Sequence, residues 1–118
     1  MSDTLHSFMI FDPNGALSPA SFVSVPNQNL HALTETNPPA DFIIITHPGF
    51  LSAAQDLANF HTAQDGMVVH VATTDQIYNE FSSGKQDIAA IRDYIKMYYD
   101  KNPTEYPTYV LLFGDGSF

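Results

Sequence analysis

Two short polar stretches hold the residue types that could do chemistry. His47-Pro48-Gly49 offers an imidazole directly after an apolar run, and Gly114-Asp115-Gly116-Ser117 offers a carboxylate and a hydroxyl directly after another. Brought together, His47, Asp115 and Ser117 would form a crevice able to hydrogen-bond a ligand or to move a proton. Each stretch also has a plain structural reading, in which the loop turns the chain and Asp115 accepts backbone N–H bonds. Gly114 to Ser117 resembles part of a phosphate-cradling loop, but neither a following helix nor a lysine accompanies it. Ser117 lacks the Gly-x-Ser-x-Gly surroundings of a hydrolase nucleophile. The histidines are His6, His31, His47, His61 and His70, and no two stand three to five residues apart as zinc ligands commonly do. Neither a metal nor a cofactor is expected.

The elements that must position these stretches read as strand and helix in alternation. Phe42 to Thr46, Met67 to Val71 and Tyr109 to Phe113 are short apolar runs rich in β-branched or aromatic residues, as in strands buried on both faces of a parallel sheet. Between the first two, Phe50, Ala54, Leu57, Ala58 and His61 fall at helical spacing, with Asp65-Gly66 as the stop. Thr74 then caps a short helix carrying Ile77, Tyr78 and Phe81, ended by Ser82-Ser83-Gly84. Asp87 caps a longer one whose Ile88, Ile91, Ile95, Tyr98 and Tyr99 form an apolar stripe ending at Asn102-Pro103. Tyr94, Tyr98 and Tyr99 read as core and helix flank, and His61 and His70 as packing histidines. Leu111 and Ile91 are expected in the core.

The result is an α/β fold, a parallel-core open sheet with flanking helices, in strand order 2-1-3. That order puts His47 beside Asp115, at the carboxyl ends of neighbouring strands where open sheets gather function. Residues 1–39 read as an antiparallel β lead-in, a hairpin of Ser7 to Phe11 and Phe22 to Val25 followed by a linker. Residues 40–118 read as the βαβααβ unit.

Composition narrows the function classes. The chain has 118 residues, 44% of them hydrophobic, and a net charge of −9. Lys85, Arg92, Lys96 and Lys101 are its only basic side chains, too few for the cationic patch of a nucleic-acid binder or for contact with an anionic membrane. No basic n-region followed by an apolar stretch opens the sequence, so no signal peptide is expected within it. It contains no cysteine, which leaves no thiolate nucleophile and no disulfide.

Five stretches in order, Val25 to His31, Asp41 to Pro48, Ile77 to Gly84, Asp87 to Asp93 and Tyr109 to Ser117, resemble the start of the gingipain-type cysteine peptidase domain. Within that family they look closest to the type IX secretion-system sortases of Bacteroidetes. The resemblance implies a caspase-like α/β fold of which this chain matches the first subdomain. It also implies a parent cysteine endopeptidase, exported to the cell surface or outer membrane, that removes C-terminal sorting domains from secreted proteins. In that family the catalytic histidine, in a Gly-His-Gly context, and the catalytic cysteine come later. No catalytic residue carries over, and His47 is not the family's histidine. The chain is therefore expected to be inactive by itself and to partner the remainder of the peptidase domain. A homodimer through the edge of Tyr109 to Phe113 is the other partner expected. The alternative is a free-standing flavodoxin-like binding module that uses the His47 and Asp115 crevice.

Overall fold

The structure, a computed structural model, describes Asp12, Val25, residues 29–32 and residues 38–114. Its elements are β1 (Phe42–Thr46), a 3-10 turn (Pro48–Phe50), α1 (Leu51–Asp65), β2 (Val69–Thr73), α2 (Thr74–Phe81), α3 (Ile88–Lys101) and β3 (Tyr109–Phe113). The hairpin expected over Ser7 to Phe11 and Phe22 to Val25 lies outside the described residues except for Val25, which is exposed and in no strand. No described helix is long and apolar enough to cross a membrane.

All five residues of β1 are buried, which is possible only for a strand with neighbours on both edges and cover on both faces. The order is β2-β1-β3, with both pairings parallel, as the sequence pattern anticipates. Chain order reverses direction at β1, so right-handed crossovers send α1 and the α2–α3 pair to opposite faces. The contacts agree. Phe42 and Ile44 pack with Ala54 and Ala58 of α1, while Ile43 and Ile45 pack with Ala72, Ile77, Ala90 and Tyr94. Ala54 and Ala58, four residues apart, bring α1 close to the sheet on one narrow stripe. Gly66 ends α1 in the left-handed conformation at φ 67°, where a side chain would be strained.

Several sequence expectations are displaced. β2 begins two residues later than Met67, because the Val68 amide is taken by the Asp41 carboxylate at 2.8 Å and the ladder opens at Phe42 opposite Val69. It then runs through the fully buried Ala72 to Thr73. The cap of α2 is Thr73 rather than Thr74. Thr73 receives the Gln76 N–H while the Gln76 side chain accepts the Thr73 N–H, a reciprocal box that Thr74, with Ile77 three residues on, could not form. In α3 the buried residues are Ala90, Tyr94, Met97 and Tyr98, so that of the expected stripe only Tyr98 is fully in the core. Ile88 is 83% exposed and Tyr99 is 54% exposed, while Ile91 and Ile95 flank the core half-buried. Tyr94 can take the central place because its hydroxyl finds that of Tyr98 at 3.1 Å. Leu111 is half-buried too, packed on the α1 side of a strand that has one neighbour among the described residues.

Residues 29–32 are held to the helices by Glu80 of α2. Its carboxylate accepts the N–H groups of Leu30 at 2.7 Å and His31 at 3.1 Å and pairs with the His31 imidazole, which stacks on Phe81. Burial pushes the Glu80 carboxyl up, but these bonds together outweigh it and hold the group below the usual carboxylate range.

Ile43→Ala, at a side chain with no exposure, should destabilise the fold by about 2–5 kcal/mol. Leu111→Ala should cost clearly less, and urea unfolding midpoints of the two variants check the ordering.

Candidate functional site

The carboxyl ends of β1 and β3 meet as the strand order requires. Thr46, the last residue of β1, is 1% exposed, and its hydroxyl donates to the carbonyl of Phe113 at 3.1 Å, with the His47 carbonyl at 3.2 Å as the alternative acceptor. This bond ties the two strand ends together where the loops begin. His47 follows and is exposed, but its Nδ1 accepts the Gly49 N–H at 3.1 Å, which caps the 3-10 turn. A neutral His47 therefore carries its proton on Nε2, and its Nδ1 lone pair is already used. A Cβ on Gly49 would come within 3.2 Å of that Nδ1, a close approach that the His47 ring would have to yield to. Gly114 leaves β3 at φ 148°, a conformation natural only to glycine, and passes beside the Phe50 ring. Phe50 is 50% exposed and stands edge-on to His47 with ring centroids 6.1 Å apart.

Of the three predicted crevice residues, the structure places His47 at the switch point. Asp115 and Ser117 lie outside the described residues. Two residues that the sequence reading assigned to a strand end and a helix also belong to this locus, Thr46 and Phe50. Thr46 hides in an apolar run, where a lone threonine reads as a strand former. Phe50 reads as part of the helical stripe, although its ring lies at the loop.

A second polar locus lies on the far side of the sheet. His70 Nδ1 meets the Tyr98 hydroxyl at 3.0 Å, which meets the Tyr94 hydroxyl at 3.1 Å. Burial pushes both phenols up and the imidazole down, so all three groups are neutral near pH 7. They can exchange hydrogen bonds with a ligand but supply no anionic nucleophile. One cavity of about 190 Å³ here is lined by Pro38, Pro39, His70, Tyr98, Lys101, Asn102 and Glu105. Another of about 210 Å³ is lined by Leu30, Gln55, Val69, His70, Val71, Tyr94 and Tyr98. The sequence shows His70 and the tyrosines separately; that they join follows from α3 crossing β2. Among the described residues, no three histidine or acidic side chains gather as a metal-ligand group.

A three-stranded parallel sheet with this order, helices on both faces and a switch point at His47 is a form many enzymes share, and similarity to known proteins narrows it. Residues 35–118 match peptidase family C25, and the chain belongs to that family, the gingipain-type cysteine peptidases. Among solved structures it is similar to the dimeric latent PorU from Porphyromonas gingivalis, with 38% identity and a TM-score of 0.69. The match covers 79% of this chain and 9% of that one, so the chain spans a small part of that protein's length. No curated protein matches the sequence.

Because the half-buried His70 imidazole resists protonation, the unfolded chain binds more protons there once pH drops below the ordinary value of 6.5. Its contribution to stability is whole above that value and declines as pH falls through it. His70→Gln should accordingly flatten the loss of thermal stability between about pH 7 and pH 5 relative to the wild type. Equal slopes would show that His70 is not the group responsible.

Proposed function

We propose that this chain is the non-catalytic N-terminal scaffold of a C25 peptidase domain, and that it supplies the domain's first parallel strands and their helical cover. The observation that carries this reading is the state of β3. Val110 and Leu112 share a face with Ile43 and Ile45, yet they are 43% and 63% exposed while the two isoleucines are buried. An uncharged strand bare on one face and unpaired along one edge among the described residues is the place for a sheet to continue. With no cysteine in the chain, the thiolate of a cysteine peptidase has to come from elsewhere. On this reading the parent acts as a cysteine endopeptidase at the cell surface and trims C-terminal sorting domains from exported proteins. None of His47, Asp115 and Ser117 is then catalytic machinery, and His47 is a turn group at the rim of the sheet.

The test is a chimaera in which residues 35–118 replace the matching stretch of PorU. It should fold, and the amides of Val110 and Leu112 should be protected from exchange. A chimaera that fails to fold although the 118-residue chain folds alone, or one in which those amides exchange freely, would overturn the scaffold reading.

Taken alone, the same edge suits a second copy. Tyr109 N–H donates to the Asp41 carbonyl, so alternate residues Tyr109, Leu111 and Phe113 turn their peptide groups to β1, and Val110 and Leu112 turn theirs outward. Antiparallel pairing about a two-fold axis at Leu111 sets Val110 opposite the partner's Leu112 and satisfies both outward sets at once. The isolated chain should therefore be a dimer at micromolar concentration by light scattering. Leu112→Lys should make it a monomer without loss of helical signal, whereas a wild-type monomer with protected Val110 and Leu112 amides would rule the pairing out.

A further inference from the structure

We propose that residues 29–32 are a lid over the hollow that holds His70, Tyr94 and Tyr98, and that the Glu80 carboxylate is the latch that keeps it shut. The proposal does not depend on the family reading.

The hollow of about 210 Å³ has walls from α1, β2 and α3 and one wall, Leu30, from the N-terminal part of the chain. Leu30 is 4% exposed and joins the apolar cluster that contains Tyr94 and Tyr98, whereas Asn29 and His31 beside it are exposed. One side chain of the segment is thus inserted and its neighbours lie outside.

The bonds that fasten the segment converge on one group. Glu80 Oε2 accepts the Leu30 N–H at 2.7 Å, and Oε1 accepts the His31 N–H at 3.1 Å and pairs with the His31 imidazole. The next N–H, of Ala32, is taken inside the segment by the Asn29 side chain at 2.9 Å. Lys101 of α3 donates to the His31 carbonyl, and the His31 ring stacks on Phe81 with centroids 4.9 Å apart. Three bonds between the segment and α2 therefore rest on a single carboxylate. The Glu80 side chain keeps 15% of its exposure and His31 keeps 50%, so solvent can replace each bond as it breaks.

A latch of one charge fails differently from a core residue. Glutamine in place of Glu80 keeps the length but turns one acceptor oxygen into an NH2 donor, which cannot receive an N–H. Either the Leu30 bond or the His31 pair is then lost, and the lid lifts while Ile43 and Ile45 keep Ala72, Ile77 and Tyr94 as neighbours. Lifting it uncovers a row of uncharged hydrogen-bonding groups, His70 to Tyr98 to Tyr94, to any neutral solute that fits the hollow.

Amide exchange of the 118-residue chain in urea below its unfolding midpoint separates lid from core. In the wild type the Leu30 and His31 amides should exchange by a local opening whose rate ignores urea, while Ile43 and Ile44 exchange through global unfolding and quicken with it. Glu80→Gln should bring Leu30 and His31 to within about tenfold of the free-peptide rate, with Ile43 and Ile44 still protected about a thousandfold or more. Tyr94, 1% exposed with the lid shut, reports the opening directly. A neutral gadolinium chelate should relax its ring protons about threefold faster in Glu80→Gln than in the wild type and leave the Ile43 methyl signals alone in both. Leu30→Ala, which shortens the lid and spares the latch, should expose Tyr94 in the same way. Exchange at Leu30 that rises with urea in parallel with Ile44 would make residues 29–32 part of the core and sink the proposal. So would a Glu80→Gln chain that fails to fold, or one in which Tyr94 stays as shielded as in the wild type.

Discussion

The complete burial of β1 is the constraint on which everything else rests. Five consecutive buried residues must have every peptide group paired within the protein, because an unpaired one would cost about as much as a lost hydrogen bond. That requirement places a strand on each side of β1. Its side chains, alternating between two faces, then require a helical layer on each. The sheet order, the opposite placement of α1 and α2–α3, and the meeting of loops near His47 all follow from one apolar run of Phe-Ile-Ile-Ile-Thr.

The outer strands differ from β1 in a way that gives each edge its own character. β2 is half-buried over its first three residues and then buried, and its edge lies beside neutral hydrogen-bonding side chains. β3 alternates between exposed and half-buried, with large apolar side chains in the open. One edge is shaped as a trough and the other as an unfinished layer. That contrast marks β3 as the strand suited to permanent cover.

How much of this was legible in the sequence depended on the range of the interactions. β1 and β3 were legible to the residue because each is an unbroken apolar run, although only β1 is buried on both faces. The Gly66 stop and the Asp87 cap were legible because each is a local bond between neighbours. The start of β2 was not, since it is set by the Asp41 carboxylate reaching a residue 27 positions away. The face of α3 was misread for a related reason: hydropathy ranks Ile88 above Tyr94, and only the hydroxyl of Tyr98 makes the burial of Tyr94 inexpensive. At the candidate site, His47 was legible as a strand-end residue. Its engagement with Gly49 and the Thr46 bond to Phe113 depend on backbone geometry that residue types do not reveal.

Thr73 is at once the last residue of β2 and the cap of α2, so strand and helix share a residue with no loop between them. A loop would let each adjust independently; here they are geared together. Sliding β2 by one position would turn its side chains to the wrong faces and in the same motion pull Thr73 away from Gln76. Two interactions of different kinds, one along the sheet and one at the helix end, are thus satisfied in a single alignment, and the junction works as a ratchet tooth that keeps the β2 edge in phase.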